Sequence, residues 1–129
     1  MPLEVVTPPA LASPRGYSHG LKGGELLFVA GQIGWDAQQR VVSSDFVAQF
    51  AQALDNVLAV VRAAGGVPET IARLTIYVTD KHEYRARARD VGTAYRERMG
   101  RHYPAMTLVE VRALLEDAAK VEIEATAVL

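Results

Sequence analysis

Residues Tyr103–Val111 read YPAMTLVEV, and residues Lys120–Ala125 read KVEIEA. Both stretches alternate apolar with polar side chains, which is the period of a β-strand with two different faces. Because only a short loop separates them, we expect an antiparallel hairpin with Glu110, Glu122 and Glu124 on one face. A plain amphipathic strand needs no carboxylates at these positions. This face is therefore either a functional site or an interface with ion pairs.

Four more segments of the chain have strand character. The apolar run Glu25–Ile33 predicts a strand buried on both faces over most of its length, and Ile71–Thr79 is rich in β-branched and aromatic residues. Shorter strands are expected at Tyr17–Leu21 and Arg40–Val42. The prolines of Thr7–Gly16 instead predict a loop or an edge segment, because proline lacks an amide donor.

Apolar residues spaced three and four apart predict two helices. The first follows Ser43 and Ser44, which offer N-cap oxygens, and Asp45, which is well placed against the helix dipole; it ends before two glycines. The second covers Lys81–Met99. The resulting order, β-β-β-α-β-α-β-β, indicates one α+β domain over residues 1–129, with a mixed sheet and two helices on one of its faces.

The composition excludes several classes of protein. The formal net charge is -1, so no overall field attracts nucleic acid or anionic membranes. Cysteine is absent, which removes disulfides and thiolate metal sites, and the three histidines lie in no metal-ligand spacing. No apolar run approaches the length of a membrane span, and no signal peptide is visible. We therefore expect a cytoplasmic protein with no metal, no cofactor and no membrane partner.

Several segments together resemble the Rid family (reactive intermediate deaminases, also called YjgF-like proteins). The resemblance extends over nearly the whole chain, and the order of the segments is more specific than any one of them. They are Tyr17–Ser18, Phe28–Ile33, Asn56–Leu58, Ala63–Gly66, Thr75–Asp80 and the two strands quoted above. The resemblance implies a chorismate-mutase-like fold, a homotrimeric barrel and a small-molecule site in each cleft between subunits.

The resemblance also implies a reaction and the residues that perform it. The best-known activity of the family is hydrolysis of 2-imino and 2-enamino acids to 2-keto acids and ammonia. Glu122 corresponds to the glutamate that helps to place the attacking water, and Tyr17 closes the pocket from the side. Gly31 lies in the segment Phe28–Ile33, which resembles a strand of the family, and we expect it to be one of the binding residues. The structural alternative for Glu122 is an ion pair with Arg112 across the predicted hairpin.

Met106 departs from the family pattern. An arginine usually occupies this position and grips the substrate carboxylate through two charge-assisted hydrogen bonds. A thioether has no hydrogen-bond donor, so an ionised carboxylate placed against Met106 would lose its hydrogen bonds, at a cost on the order of several kcal/mol. Thr107 stands next to it, where serine is usual. We therefore expect a site for a fairly apolar metabolite rather than a typical 2-imino acid deaminase.

Three further residues are candidates for the binding site. Arg15 is either a replacement for the missing arginine or a solvated loop residue. His19 is either a polar pocket residue or a surface histidine. Trp35 caps the pocket or a subunit contact in one interpretation and is partly buried for structural reasons in the other.

Two other functions stay open beside imine hydrolysis. The first is a non-catalytic binding or regulatory trimer, which is consistent with Met106 because such a protein would not need the substrate-binding arginine at position 106. The arginines of the second predicted helix raise an RNA-directed role. Acidic residues are interleaved with those arginines and no RNA-recognition motif is present, which favours a solvated helix face.

Overall fold

The computed structural model describes residues 2–129, which form a six-stranded sheet with helices packed on one face. The strands are β1 (Glu4–Val6), β2 (Gly20–Gly23), β3 (Leu26–Ile33), β4 (Ile71–Val78), β5 (Ala105–Glu110) and β6 (Val121–Val128). The helices are α1 (Phe46–Ala63), α2 (Lys81–Ala86) and α3 (Ala88–Met99), and a 3-10 turn at Pro68–Thr70 precedes β4. The predicted α+β fold class is confirmed.

The strand order is β1-β2-β3-β6-β4-β5, with β4 and β5 parallel and the other neighbouring pairs antiparallel. β4 therefore lies between β5 and β6. The prediction that β5 and β6 pair as an antiparallel hairpin is wrong. The alternation within each strand is correct, but alternation says which side chains share a face and not which strand is the neighbour. The parallel pair β4 and β5 is joined through α2 and α3, the crossover that parallel strands require.

This pairing separates the carboxylates that the hairpin was expected to bring together. Val78, which is buried under the helices, pairs with Glu110, so Glu110 lies on the helix face of the sheet. Its Oε1 accepts a 2.9 Å hydrogen bond from the backbone N–H of Lys81 at the start of α2. Glu122 and Glu124 lie on the opposite face, which carries no helix in the single chain and is called the open face below.

The core lies between α1 and the helix face of the sheet. α1 begins after Asp45, whose Oδ2 accepts a 3.0 Å hydrogen bond from the backbone N–H of Ala48. Asp45 is thus the N-cap, while the Oγ of Ser43 accepts from the backbone N–H of Asp45. The largest fully buried apolar side chains are Phe46, Phe50, Leu27, Leu54, Leu58, Ile71, Leu74, Met99 and Ile123. Between residues 2 and 129, no helix has both the length and the apolar character needed to cross a bilayer.

The short strand expected at Tyr17–Leu21 is instead β2 at Gly20–Gly23. Three further elements also differ from the sequence-based expectation. The second predicted helix is interrupted at Arg87, whose φ of -109° leaves the helical region and whose guanidinium binds Asp45 at 2.6 Å. The expected strand at Arg40–Val42 is a single bridge between Val41 and Trp35. β1 lies before the prolines, where no strand was expected, and it pairs with β2 at the edge of the sheet.

The first half of β3 is buried on one face only. Leu27 and Val29 are buried under α1, whereas Leu26 and Phe28 are 43% and 48% exposed on the open face. The expectation of a strand buried on both faces is therefore wrong for the single chain. Exposed apolar side chains on a sheet face are typical of a surface that another protein covers.

Candidate functional site

A pocket of about 270 Å³ opens where the end of β3 meets the start of β6. It brings together four residues singled out from the sequence: Tyr17, Gly31, Trp35 and Glu122. Most of its lining is apolar, which is typical of a small-molecule site with a few polar groups that fix orientation. The other lining residues are Ala30, Ile33, Leu115 and Glu116. This cavity is called the Glu122 pocket below.

A β-bulge places Gly31 beside the Glu122 carboxylate. Between Val29 and Gln32 the register of β3 against β6 shifts, so two residues of β3 face one residue of β6. Bulges of this kind redirect side chains and are common next to active sites. A Cβ atom at position 31 would lie 2.6 Å from Oε2 of Glu122, so only glycine leaves room for the carboxylate in this position.

The Glu122 carboxyl is half-buried, and this burial raises its pKa above the ordinary value. The negative charge of Glu124 adds to the increase in pKa. The cross-strand partners of Glu122 are Ile33 of β3 and Tyr77 of β4. Arg112 is therefore not its cross-strand partner, as the predicted hairpin would have required. A carboxylate with a raised pKa is a stronger base once it is ionised. Glu122 is therefore suited to exchange protons with a water molecule or ligand in the pocket.

Glu124 has a different environment on the same face of β6. Its Oε1 accepts a 2.8 Å hydrogen bond from the hydroxyl of Tyr77. That hydrogen bond is the main reason why the pKa of Tyr77 is raised. Glu124 is thus engaged in a contact within the sheet, and it does not line the Glu122 pocket.

Tyr17 and His19 have separate roles around the pocket. Tyr17 lines it, is 43% exposed, and has a pKa raised by partial burial of its hydroxyl. Its ring packs edge-on against His19, with 5.4 Å between the ring centroids. His19 is only 1% exposed, so the surface alternative is wrong, and its side chain does not line the Glu122 pocket either. Its Nε2 donates to the carbonyl of Ala12 at 2.8 Å, and its Nδ1 accepts from Nε2 of Gln32 at 3.1 Å.

Two buried amides of α1 hold the backbone around the Glu122 pocket. Nε2 of Gln49 donates to the carbonyls of Ser43 (2.8 Å) and Ala118 (2.9 Å), and its Oε1 accepts from the N–H of Lys120 (2.8 Å). Gln49 thereby fixes the end of the loop whose exposed Leu115 and Glu116 lie at the edge of the pocket. The second amide is Asn56, which donates to the carbonyls of Ile33 (3.1 Å) and Trp35 (3.0 Å).

The role of Gln49 was not predicted from the sequence, although a signal for it is present: Gln49 falls on the apolar side of the α1 pattern, beside Phe46 and Phe50. A polar side chain at a core position must find hydrogen-bond partners.

Met106 lines a different pocket, of about 200 Å³, on the helix face of the sheet. It pairs with the buried Leu74 of β4, and the pleat directs both side chains to the same side. Within the single chain Met106 and Glu122 therefore lie on opposite faces of the sheet. The other lining residues of this cavity, called the Met106 pocket below, are Phe50, Ile76, Tyr84, Ala88, Val91, Gly92, Tyr95, Arg96 and Tyr103.

Two further predicted residues lie outside both pockets. Thr107 is exposed on the open face and pairs with Thr75 of β4. Arg15 is exposed in the bend before Tyr17 and lines neither cavity.

A larger cavity of about 590 Å³ lies between the start of α1 and the loop before β6. Its lining charges are balanced, since it contains two basic residues, Arg112 and Lys120, and two acidic ones, Glu116 and Asp117. Nζ of Lys120 is 3.2 Å from Oε2 of Glu83. Among residues 2–129, no three His, Asp or Glu side chains come close enough to hold a metal ion. We therefore place the candidate site at Glu122.

The fold and the site define a class of protein: a small α+β domain whose open sheet face carries a carboxyl group with a raised pKa in a mostly apolar pocket. A family model described as "Endoribonuclease L-PSP" matches residues 7–129. A crystal structure of YyfA from Yersinia pestis, described as a protein of the conserved Rid family, superposes with a TM-score of 0.88 at 30% identity, covering 99% of this chain and 100% of that one.

Two curated relatives match over nearly their whole length. The RutC family protein PH0854 of Pyrococcus horikoshii is 36% identical over 126 residues, which are 96% of each chain. The 2-iminobutanoate/2-iminopropanoate deaminase of Escherichia coli (strain K12) is 34% identical over 131 residues, covering 99% of this chain and 98% of the relative. The protein belongs to the Rid (YjgF-like) family, and the resemblance seen in its sequence is confirmed.

Proposed function

We propose that this protein hydrolyses a small imine or enamine to a carbonyl compound and ammonia. The observation that carries the proposal is the Glu122 carboxyl, which has a raised pKa and is held against Gly31 in a pocket shared with Tyr17. The name of the Escherichia coli relative, a 2-iminobutanoate/2-iminopropanoate deaminase, supports the same type of reaction. Perturbed carboxyls in apolar pockets are frequent among catalytic acids and bases.

In the proposed mechanism Glu122 moves two protons. The ionised carboxylate takes a proton from water as the water oxygen bonds to the imine carbon, and it passes this proton to the imine nitrogen. It then takes the hydroxyl proton of the resulting amino alcohol and gives it to the amine. The C–N bond breaks, ammonia leaves and the C=O bond forms. One water is consumed for each ammonia released, and the carboxylate is regenerated.

The residues around Glu122 have supporting roles in this mechanism. The apolar lining around Ile33 and Trp35 limits the number of water molecules that can reach the reacting carbon. Tyr17 stands at the side of the pocket, and its hydroxyl is neutral at physiological pH because the ordinary tyrosine pKa of 10.0 already lies well above that pH and burial raises it further. A neutral hydroxyl is able to donate a hydrogen bond to the substrate.

We further propose that copies of this chain assemble as a homotrimer through the open face. The exposed Phe28 and Val109 on that face support an interface, as does the resemblance to a trimeric family. Light scattering should give about three times the chain mass of 14.0 kDa, and a monomeric mass would contradict the assembly.

A non-catalytic binding module is the second candidate function. The observation in its favour is Met106, which offers no hydrogen-bond donor at the position where the family resemblance places an arginine. Such a module would be stabilised by a ligand that it does not convert, because a ligand that binds only the folded state raises the melting temperature. An RNA-directed role has less support, since Arg87 and Arg98 are paired with Asp45 and Asp55.

The test of the proposed function is ammonia release from a panel of imines and enamines generated in solution. The panel should contain both 2-imino acids and imines without a carboxylate. We expect the wild-type protein to accelerate at least one of them beyond the uncatalysed rate. Melting-temperature increases without turnover across the panel would favour the binding module instead.

The pH dependence of kcat/KM should report the ionisation of Glu122. The base form is required, so activity is lost as the pH falls through the pKa of this group. Since burial and the charge of Glu124 raise that pKa, the acid limb should lie above the range of an ordinary glutamate. In the Glu124→Gln variant the limb should move to lower pH, because one source of the increase is gone. A limb that does not move would contradict the assignment to Glu122.

A further inference from the structure

We propose that Arg96 of α3 binds the carboxylate group of the ligand. Met106 cannot do so, because its thioether has neither a positive charge nor a hydrogen-bond donor. Both residues line the Met106 pocket, and Arg96 is the one charged side chain among the described residues of its lining. That this ligand is an imine or the product of imine hydrolysis rests on the proposed function. Carboxylate binding by Arg96 does not rest on the proposed function, because binding requires no turnover.

The guanidinium of Arg96 lies against Gly92, one helical turn earlier. A Cβ atom at position 92 would be 3.1 Å from Nη1 of Arg96 and 3.9 Å from its Cζ. A larger side chain at position 92 would therefore compete with the guanidinium for the same space. Glycine inside a helix is unfavourable by about 1 kcal/mol relative to alanine. Its presence in α3 fits a position where room for a neighbouring group matters.

Arg96 differs from two other arginines of the α2–α3 region in its partners. The guanidinium of Arg87 binds Asp45 at 2.6 Å, and that of Arg98 binds Asp55 at 2.7 Å. Arg96 forms no ion pair with any carboxylate among residues 2–129. A guanidinium that faces a pocket without a protein partner has its five donors available to an anionic ligand.

The rest of the Met106 pocket is apolar and aromatic. The rings of Tyr95 and Tyr103 stack with 5.6 Å between their centroids and an angle of 10° between their planes. The Tyr95 hydroxyl donates to the carbonyl of His102 at 2.7 Å, and burial raises its pKa to about 12, so it carries no negative charge. No acidic residue lies among the described lining residues to compete with a ligand for Arg96.

These properties define the class of ligand. One positive charge at the edge of an otherwise uncharged pocket fits a singly charged anion with an apolar body. A planar guanidinium binds a carboxylate through two parallel hydrogen bonds. The cavity of about 200 Å³ is small, because pockets for drug-sized ligands are about 300–1,000 Å³. The pocket therefore fits a short-chain monocarboxylate, with Met106 against the chain rather than against the charge.

The test compares an anionic probe with a neutral one of nearly the same shape. The probes are 2-oxobutanoate and its primary amide, 2-oxobutanamide, and their dissociation constants are measured by NMR titration of the full-length protein. The variant is Arg96→Gln. The matched control is Arg89→Gln on the same helix, since Arg89 is exposed and lines neither pocket.

We expect Arg96→Gln to weaken 2-oxobutanoate binding by about ten- to a hundredfold, the range for loss of a hydrogen bond to a charged group. Binding of the neutral amide should change less than threefold. Arg89→Gln should leave both probes unaffected. An equal loss for both probes, or a loss no larger than that of the control, would overturn the proposal.

A double variant tests whether the cation can be moved between the two positions. In Arg96→Gln/Met106→Arg, the guanidinium enters the same pocket from β5 instead of α3. We expect this protein to recover at least part of the preference for 2-oxobutanoate over the amide. No recovery, in a protein with an unchanged circular dichroism spectrum, would count against a shared carboxylate position.

Turnover measured on the same variants separates this inference from the proposed function. Binding of 2-oxobutanoate that depends on Arg96, without ammonia release from 2-iminobutanoate by the wild type, would retain the carboxylate site and remove the enzymatic activity. Equal kcat/KM for 2-iminobutanoate in the wild type and in Arg96→Gln would retain the activity and place the Arg96 carboxylate site outside the catalytic site.

Discussion

Glu122→Gln should lower the rate of ammonia release by about a hundred- to ten-thousandfold, the contribution typical of a positioned acid or base. Glutamine keeps the shape of the side chain and its fit against Gly31, but it cannot accept a proton from water. The loss should appear in kcat, since the substitution changes the proton-transfer step more than it changes ligand binding. The measurement is steady-state kinetics on whichever imine the wild-type protein hydrolyses best.

Glu124→Gln is the matched control for this prediction. It removes a carboxylate from the same face of the same strand, two residues away, and its side chain contacts Tyr77 rather than the Glu122 pocket. We expect it to keep most of the activity at neutral pH. If Glu122→Gln retained wild-type kcat, or if the two variants lost activity equally, Glu122 would not be the group that exchanges protons.

Gln49→Leu should lower the free energy of unfolding by about 3 kcal/mol, because three hydrogen bonds of about 1 kcal/mol each are lost. The carbonyls of Ser43 and Ala118 and the N–H of Lys120 would be left without their partner. Gln49 is fully buried, whereas its partners are partly accessible, so water can compensate for some of the loss. Urea unfolding followed by circular dichroism measures the change.

The same substitution should also disturb the site, because Gln49 holds the loop whose Leu115 and Glu116 lie at the edge of the Glu122 pocket. We expect a higher KM together with the lower stability. Gln52→Leu is the control, since Gln52 lies on the same helix and its amide makes a single 2.8 Å hydrogen bond, to Asn56. Its expected cost is about 1 kcal/mol. Equal destabilisation by the two substitutions would show that the loop does not depend on Gln49.

Much of the fold follows from local patterns that are visible in the sequence. The 3.6-residue period of α1 and the two-residue period of β6 predict which side chains are buried, and Phe50, Leu54 and Ile123 are indeed in the core. The pairing of β5 did not follow. It is the parallel neighbour of β4, joined to it through α2 and α3. The sequence contains no local signal for that choice, because a strand pattern describes the faces of one strand only.

The candidate site was predictable in part for the same reason. Tyr17, Gly31 and Glu122 could be proposed from motifs and do lie together in one pocket. Trp35 lies in the same pocket because the side-chain amide of Asn56, in α1, donates a hydrogen bond to the backbone carbonyl of Trp35. The position of Met106 on the other side of the sheet could not be seen, since it depends on the partner of β5.

The family, the alternation of each strand and the loss of a cation at position 106 can all be read from the order of the residues. These are local properties, set by residue identity and by the period of the backbone. The folded chain is needed to show that Met106 and Glu122 occupy opposite faces of the sheet and that Arg96, on a helix, lies in the pocket of Met106. Those relations depend on long-range strand pairing and on how α3 packs over the sheet. No pattern within a single element specifies them.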